Sequence, residues 1–310
     1  MGRTASRCSK KPADDGFYWP AETEQTVEKL DFWLPNMVRD HQYTLEEVMQ
    51  VTALPKRDLE KRIAHLGKKS AFPGSDARIK ALPYPGGRHP RIGFLDGAID
   101  PLRGTKVSFF PPWENGGYVV LDIPEAIFSN LGLVFLAHTH VPTIWNAHNA
   151  VIENQDWIIE ESGGLHSEWR LPNGVVFGAQ VTPRPGGADL ELWLENGTKA
   201  KLTQLRTQIC AMLKAATGFN EQNQERKEYN QPLAVVKARN ADRYVLLAFE
   251  HCGRAWGNEK CPCMHSDPVL PDAAAGERVS VRGRLSFYEG ADIQSEKERL
   301  LEEMRTWRKR

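Results

Sequence analysis

The sequence lacks several features that would assign it to an obvious class of protein. Its 310 residues include 40 basic and 40 acidic side chains, so the formal net charge is zero. A balanced charge argues against a general coat for nucleic acid or membrane surfaces, although a local basic patch is compatible with it. No stretch approaches the roughly 18 consecutive apolar residues of a membrane-spanning helix. Residues 1–15 contain no apolar run of the kind that a signal peptide needs.

Cysteine is also scarce, with five residues in the chain. Without a signal peptide, so few cysteines are typical of reduced thiols rather than of a disulfide framework, and we expect a cytoplasmic protein. The hydrophobic fraction of 41% and the charged fraction of 26% are ordinary for a globular protein. The length is sufficient for one large domain with a sizeable core and a small second one.

A helical region is predicted near the start of the chain. Residues 1–18 show no pattern and are interpreted as a flexible tail, whereas 19–69 have apolar residues at helical spacing with a break at Pro35. Thr-Leu-Glu-Glu at 44–47 is a capping box that predicts a helix start. Two short helices across a tight turn resemble a DNA-binding helix-turn-helix, so residues 44–66 could contact nucleic acid. A helical cap that docks on the larger domain is the alternative.

After a linker over 70–84, residues 85–293 have the pattern of a large antiparallel β-sandwich. Leucines alternate with acids and Trp193 over 189–195, and Asn196-Gly197 predicts a hairpin turn. Many strands without intervening helices indicate a mainly β fold, which a charged amphipathic helix over 294–310 closes. Strands are predicted at 106–110, 118–123, 133–140, 151–160, 166–170, 175–182, 190–195, 201–214, 233–237, 244–250 and 278–288.

Two histidines, His138 and His140, lie two residues apart in a stretch predicted as a strand. On a strand both imidazoles face one side, which is how paired histidines commonly share a metal ion. They could equally bind a sugar hydroxyl or act as acid and base, or simply be satisfied histidines on a polar face. Glu250 beside His251 forms a further carboxylate–imidazole pair. The candidate catalytic residues are therefore His138, His140 and Glu250.

The densest polar stretch is 256–268, which contains Cys261, Cys263 and His265. Its prolines and glycine predict an ordered loop, not a helix or a central strand, with polar side chains free to form a site. The three residues are candidate ligands of zinc or another divalent metal, with Cys252 nearby, although their spacing is tighter than in standard zinc knuckles. A thiol nucleophile activated by His265 and an unreactive loop are the alternatives.

Further residues are candidate contacts for a substrate. Three basic side chains after a Gly-Gly turn could hold a carboxylate or a phosphate, and a solvated basic turn is the alternative. Aromatic rings offer flat faces for stacking on sugars, although large aromatics mostly fill cores. The candidate substrate contacts are Arg88, His89, Arg91, Trp145, Trp256, Asn258 and Asp267.

The order of segments from Trp169 onward resembles the galactose-mutarotase-like β-supersandwich. The similarity lies in the Leu-Pro-Asn-Gly turn at 171–174, the strand at 190–195 with Asn-Gly-Thr after it, and a long strand at 202–213. It also includes Ala-Gly-Glu at 275–277 before the last strand. The resemblance implies carbohydrate handling by analogy, because a fold does not fix a function. Aldose epimerases of this fold use a His acid and a Glu base, but their local motifs are absent here.

Three segments are similar to those of an uncharacterised family of bacterial proteins, namely 88–98, 138–145 and 256–268. This resemblance implies no activity.

Three hypotheses follow from the sequence. The first is a protein that binds or transforms a small carbohydrate, with epimerase, lyase or hydrolase chemistry if it is an enzyme. The second is a metal-binding protein or metalloenzyme that uses the His138/His140 pair and the Cys261–His265 stretch. The third is a transcriptional regulator in which a sugar-sensing sandwich controls an N-terminal helix-turn-helix.

Overall fold

The computed structural model describes residues 24–66, 78–86, 88, 103–138 and 141–308. In these residues the chain forms two antiparallel sheets that enclose a common core, with a helical unit on the N-terminal side and one helix at the C-terminal end. The mainly β sandwich with flanking helices that the alternation predicts is confirmed.

Four α-helices and fifteen strands make up the described part of the chain. The helices are α1 (Glu24–Pro35), α2 (Leu45–Thr52), α3 (Lys56–Ala64) and α4 (Ile293–Arg308). The strands are β1 (Lys80–Pro83), β2 (Lys106–Phe110), β3 (Val119–Ser129), β4 (Gly132–Leu136), β5 (Ile158–Ile159), β6 (Leu165–Arg170), β7 (Val176–Arg184), β8 (Gly187–Glu195), β9 (Arg206–Met212), β10 (Lys227–Asn230), β11 (Leu233–Lys237), β12 (Arg243–Phe249), β13 (Cys252–Trp256), β14 (Cys263–Pro268) and β15 (Arg278–Glu289).

The strands divide into a seven-stranded and an eight-stranded sheet. The first has the order β1-β2-β3-β9-β14-β13, with β4 also paired to β3. The second has the order β10-β11-β12-β15-β8-β7-β6-β5. Apolar side chains from the inner face of each sheet fill the space between them, including Leu190, Leu192 and Leu194. These three leucines lie on β8, so the alternation of apolar and polar residues predicted there reflects the one face of β8 that is buried.

The main correction to the sequence predictions concerns the stretch interpreted as a loop. Cys263–Pro268 is strand β14, and it lies between β9 and β13 inside the seven-stranded sheet. The two prolines did not prevent this, because Pro262 precedes the strand and Pro268 is its last residue. Neither therefore interrupts the ladder in the middle. Cys263, His265 and Asp267 therefore lie on a strand, whereas residues 257–262, including Cys261, form the turn before it.

A second correction concerns Asn196-Gly197, which does not form a hairpin. The chain leaves β8 there and crosses to β9 in the other sheet, while β8 pairs with β7 and β15. The turn after Leu171 does join neighbours, since β6 and β7 are paired. The neighbours of β8 in its sheet are therefore β7 and β15, and β9 lies in the other sheet.

Several strand limits also differ from the predictions. β4 ends at Leu136, so His138 lies in a bend after the strand and not on it. Within 151–160 only Ile158–Ile159 is extended in a ladder, and β9 begins at Arg206 rather than near 201. β1 lies inside the stretch that the sequence marks as a linker, and β10 has no clear alternation. Short edge strands carry little pattern because few of their side chains are buried.

The N-terminal helices form a unit with its own apolar core. Leu30, Trp33, Met37 and Leu59 are among its buried residues. α1 ends at Pro35 and a π-helical turn follows it, as expected where proline removes a backbone donor. The capping box at Thr44 is present, with both reciprocal hydrogen bonds made. Contact of α2 and α3 with nucleic acid stays a prediction.

Buried polar contacts attach this helical unit to the edge of the seven-stranded sheet. His41 Nε2 lies 2.7 Å from Ser108 Oγ on β2, and its Nδ1 lies 2.9 Å from the Asn36 carbonyl oxygen. Tyr43 donates to the Gly86 carbonyl at 2.6 Å, and Asn36 donates to the Pro83 carbonyl at 3.0 Å. The unit therefore covers part of the outer face of the sheet.

At the other end of the chain, α4 packs on the outer face of the eight-stranded sheet. Leu300 and Met304, on the apolar face of this helix, are buried in one cluster with Leu246 and Ala248 of β12 and neighbouring residues. Of the helices in the described ranges, none is long and apolar enough to span a membrane.

The position of His41 predicts an acid-sensitive fold. Burial, the main cause, together with the nearby charges of Arg88 and Lys80, lowers the pKa of His41 to about 3 from the usual 6.5. Between these values the unfolded chain binds more protons than the folded one. The stability that His41 contributes is therefore complete above about pH 6.5 and is lost as the pH falls below it. Between about pH 7 and about pH 5 we expect the free energy of unfolding to fall by about 2 kcal/mol.

Urea unfolding of the native chain and of His41→Gln at both pH values measures this effect. The difference between the two proteins should shrink at the lower pH, while an exposed control, His148→Gln, should track the native chain. Parallel pH profiles for the native chain and His41→Gln would contradict the assignment.

Candidate functional site

A row of polar residues crosses five strands of the seven-stranded sheet. Lys106 pairs with Asp122, Asp122 with Cys210, Cys210 with His265, and His265 with Trp256. Residues opposite each other in an antiparallel ladder project to the same face. Their sequence neighbours, such as Leu121 and Met264, point into the core between the sheets. The row thus lies on the outer face of the sheet.

One end of the row is a fully buried ion pair. Lys106 Nζ lies 2.9 Å from Asp122 Oδ2, and neither side chain has any exposed surface. Burial acts to raise the pKa of Asp122, but the Lys106 ammonium and the His138 imidazole outweigh it, so the pKa lies below its usual value. Asp122 is therefore ionised and fixed in place.

His138 joins this pair to a second carboxylate. Its Nε2 lies 3.3 Å from Asp122 Oδ2 and 3.3 Å from Glu125 Oε1. The register of β3 shifts between Asp122 and Ala126, and such an irregularity re-aims side chains. Two carboxylates three residues apart can therefore face one imidazole. Gln208 of β9 donates to Glu125 Oε2 at 2.8 Å and holds that carboxylate.

Glu125 also reaches the second polar cluster. Its Oε2 lies 3.8 Å from His265 Nδ1 on β14. The two dense stretches of the sequence, around His138 and around His265, therefore meet in space through a residue that belongs to neither. The result is one continuous buried polar cluster rather than two separate spots.

The thiol part of this cluster comes from two neighbouring strands. The ligand atoms of Cys210, Cys263 and His265 lie within 4.8 Å of one another, and all three residues are buried. Hydrogen bonds from Cys210 and Cys261 lower the pKa of the Cys263 thiol, and His265 adds to this. Burial acts to lower the pKa of His265, but Cys263 and the nearby carboxylates outweigh it and raise the pKa. Cys252 lies on β13 outside this group.

Asp267 and Trp256 close the other end of the row. Asp267 accepts hydrogen bonds from Trp256 Nε1 at 2.6 Å, from the Ile209 backbone at 3.1 Å and from Arg254 at 3.2 Å. The Trp256 ring stacks on His265 with 4.1 Å between ring centres, and the Arg254 guanidinium lies 4.1 Å over the same ring. These contacts fix the indole, which remains partly exposed.

Two groups of residues have the composition of metal sites. Asp122, Glu125 and His138 offer two oxygens and a nitrogen, with the atoms within 4.8 Å of one another. The group of Cys210, Cys263 and His265 offers sulfur and nitrogen, which suit zinc better. In the first group the Lys106 ammonium already neutralises Asp122, and a cation there would be repelled.

Other predicted site residues lie apart from the polar row. Glu250, at the end of β12, is ion-paired with Arg282 of β15 at 3.4 Å in the eight-stranded sheet. Trp145 is buried in the core and donates to the Val134 carbonyl at 2.6 Å. Asn258 accepts from the Lys260 backbone and shapes the turn before β14. Their predicted roles in catalysis and substrate binding stay predictions.

Arg88 has structural partners for every one of its donors. Its five N–H groups are directed to the Glu47 carboxylate, the His41 and Gln42 carbonyls and the Tyr118 hydroxyl. It links the helical unit to the sheet, and binding of an anion would have to displace one of these contacts. The predicted site residues His89, Arg91 and His140 lie outside the described residues.

Sequence reasoning missed the residues that other strands contribute, namely Lys106, Asp122, Glu125, Gln208 and Cys210. The run Val-Val-Leu-Asp-Ile-Pro-Glu-Ala-Ile-Phe over 119–128 contained a usable signal. Charged residues inside an otherwise apolar strand are seldom buried unless they have partners. Asp122 and Glu125 could have been selected on that ground, but nothing local indicates which partners they meet.

Comparisons with known proteins give only distant matches. No family model matches the chain, and no curated protein matches its sequence. Among solved structures, one described as a kojibiose phosphorylase from the human microbiome matches 63% of this chain and 26% of its own, with a TM-score of 0.39 and 8% identity. A polysaccharide lyase matches 70% of this chain and 33% of its own, with a TM-score of 0.32 and 13% identity. The chain thus spans a quarter to a third of these proteins, and we draw no function from likeness at this level.

The buried ion pair makes a direct prediction about stability. Asp122→Asn leaves the Lys106 ammonium buried without its counter-charge, and we expect a loss of about 3–5 kcal/mol in the free energy of unfolding. Asp272→Asn is the matched control, since the Lys201–Asp272 pair has the same 2.9 Å separation but lies at the surface. That change should cost at most about 1 kcal/mol. Similar losses in both variants, measured by urea unfolding, would contradict this interpretation.

Proposed function

We propose that the protein binds or transforms a small carbohydrate, with Glu125 and His138 as its acid–base groups. The observation that carries the proposal is the contact of one imidazole nitrogen with two carboxylates, at 3.3 Å each. A histidine beside a carboxylate can move a proton between substrate atoms when both groups are held at hydrogen-bonding distance. Glu125 takes the role that the sequence predicted for Glu250.

The two carboxylates have different surroundings and therefore suit different roles. Asp122 is paired with Lys106 and stays ionised, so it orients the His138 ring. Glu125 accepts a hydrogen bond from the neutral amide of Gln208 instead. Neighbouring groups whose environments differ in this way are the usual arrangement in sites that need one acid and one base.

Carbohydrate chemistry fits these groups. Epimerisation, elimination and glycoside hydrolysis each remove a proton at one atom and deliver one to an oxygen. The resemblance to the galactose-mutarotase-like fold implies carbohydrate handling by analogy, although the local motifs of the aldose epimerases are absent from this sequence.

A sugar panel with isosteric variants tests the proposal. Aldoses, uronates and disaccharides are screened by thermal shift, and any that bind are incubated in deuterated water and followed by NMR for exchange or new products. Glu125→Gln keeps the size of the side chain and an oxygen for Gln208. We expect it to slow turnover by about 10²- to 10⁴-fold, as loss of a general base does.

The control is Glu160→Gln, because Glu160 forms a similar pair with His166, at 3.2 Å, on the surface of the other sheet. It should leave turnover unchanged. If no sugar binds, or if Glu125→Gln turns over as fast as the native chain, the proposal is wrong.

A further inference from the structure

The cluster of thiols on β9 and β14 has a feature that packing does not explain. Cys210, Cys261, Cys263 and His265 are each at most 1% exposed. Thiols are readily buried, but a buried imidazole is costly unless its nitrogens are bonded. Among the residues that the structure describes, the ring nitrogens of His265 have the Cys263 sulfur and two carboxylates nearby, but neither nitrogen makes a hydrogen bond of good geometry. Buried polar groups left in this state are uncommon and point to a missing partner.

The positions of the sulfur and nitrogen atoms in this cluster match those around a bound metal ion. Zinc bound to sulfur at about 2.3 Å in a tetrahedron places two sulfurs about 3.8 Å apart. The atoms of Cys210, Cys263 and His265 already lie within 4.8 Å of one another, so only small shifts would close the site. Cys261, in the turn before β14, is buried in the same side-chain cluster as Cys210 and Cys263 and is the candidate fourth ligand.

We propose that Cys210, Cys261, Cys263 and His265 bind one zinc ion in a closed site of three sulfurs and one nitrogen. Thiolate and imidazole donors select zinc over harder divalent ions such as magnesium and calcium. Four protein ligands leave no open position, so the ion stabilises the fold and does not act on a substrate. The proposal does not depend on the proposed carbohydrate function.

The sheet explains how ligands at such tight sequence spacing reach one ion. Cys263 and His265 are two residues apart on β14 and project to the same face. Cys210 is the direct ladder partner of His265 on β9. The ligands therefore come from two paired strands and the turn before one of them, and not from a single knuckle. Residues on two paired strands can surround one ion even though Cys261, Cys263 and His265 are spaced more tightly in the sequence than the ligands of a zinc knuckle.

The groups around the cluster suit a zinc-bound histidine. His265 Nδ1 lies 3.8 Å from Glu125 Oε2 and 3.8 Å from Asp267 Oδ1. When one ring nitrogen of a histidine binds zinc, the other usually donates to a carboxylate, which fixes the ring. Lys227 Nζ donates to the Cys261 carbonyl at 2.8 Å and brings a positive charge close to the thiolates.

The first experiment measures metal in the full native chain, isolated without an affinity tag or chelator from zinc-supplemented cells. We expect one zinc per chain by mass spectrometry. After removal of metal under reducing conditions, cobalt should restore the visible bands of a tetrahedral ion and a thiolate-to-cobalt charge-transfer band. If the isolated chain holds no zinc and the stripped chain develops no such band, the proposal is overturned.

Variants then assign the ligands. Cys210→Ser, Cys261→Ser and Cys263→Ser should each lose zinc or weaken the charge-transfer band. Cys252→Ser is the matched control, because Cys252 is also buried but lies on β13 outside the cluster. It should keep the full zinc content. Loss of metal in Cys252→Ser with retention in Cys210→Ser would show that the site is elsewhere.

A variant beside the ligands keeps the test valid if a serine variant fails to fold. Asp267→Asn preserves the shape of the side chain that faces His265 and should weaken zinc affinity about 10- to 100-fold. Competition with a chromogenic chelator measures this change. Unchanged affinity, in a chain that binds zinc, would exclude Asp267 as the carboxylate that orients His265 and would overturn this part of the proposal.

Discussion

The register of the seven-stranded sheet is the constraint on which the polar cluster depends. It places Lys106, Asp122, Cys210, His265 and Trp256 in one row across five strands. A shift of one residue in any pairing would turn that strand's polar side chain into the apolar core. Because burying an unpaired charge costs several kcal/mol, such a shift would be strongly disfavoured. The register places the polar side chains in one row, and the cost of burying them unpaired in turn disfavours any other register.

At the Lys106 end of the polar cluster, each charged or ionisable group faces the next. The Lys106 ammonium faces Asp122, Asp122 faces His138, and His138 faces Glu125. Glu125 contacts the two halves of the cluster through different carboxylate oxygens, His138 through Oε1 and His265 through Oε2. One side chain, placed by an irregularity in β3, thus connects the acid–base groups with the thiol cluster. A change in charge at His138 or at the thiol cluster would therefore alter the electrostatic surroundings of the other, because Glu125 contacts both His138 and His265.

Much of the fold could be predicted from the sequence, because alternation reports directly which face of a strand is buried. The strand containing Leu190, Leu192 and Leu194 was found in this way, and so was the apolar face of the C-terminal helix. The stretch at 263–268 was misinterpreted because its prolines were given more weight than its alternation. Both prolines lie where a ladder tolerates them, and the alternation Cys263-Met264-His265-Ser266-Asp267 was that of a strand with one polar face.

The candidate site could be predicted only in part, since local patterns show which residues are unusual but not which residues meet. His138 stood out because it is close to His140 in the sequence, and Cys263 and His265 stood out because they are close to each other. Cys210 and Glu125 did not, because their roles depend on which strands are neighbours in the sheet. Arg88 shows the opposite error: its sequence context suggested an anion site, whereas four of its hydrogen bonds go to the helical unit and the fifth goes to the Tyr118 hydroxyl.

The hydrogen-bond partners of a buried or half-buried polar side chain indicate whether its role is structural or functional. Arg88 and Asp267 have partners for the groups that they present, and such saturated contacts are sufficient to explain why a polar side chain is buried. His265 differs, because its ring is enclosed by sulfur and carboxylate groups without a geometrically sound hydrogen bond in the described part of the chain. An unsatisfied buried imidazole indicates a ligand at this position because three sulfur groups are buried beside it, an arrangement that the other unsatisfied polar groups of the described residues are not shown to have.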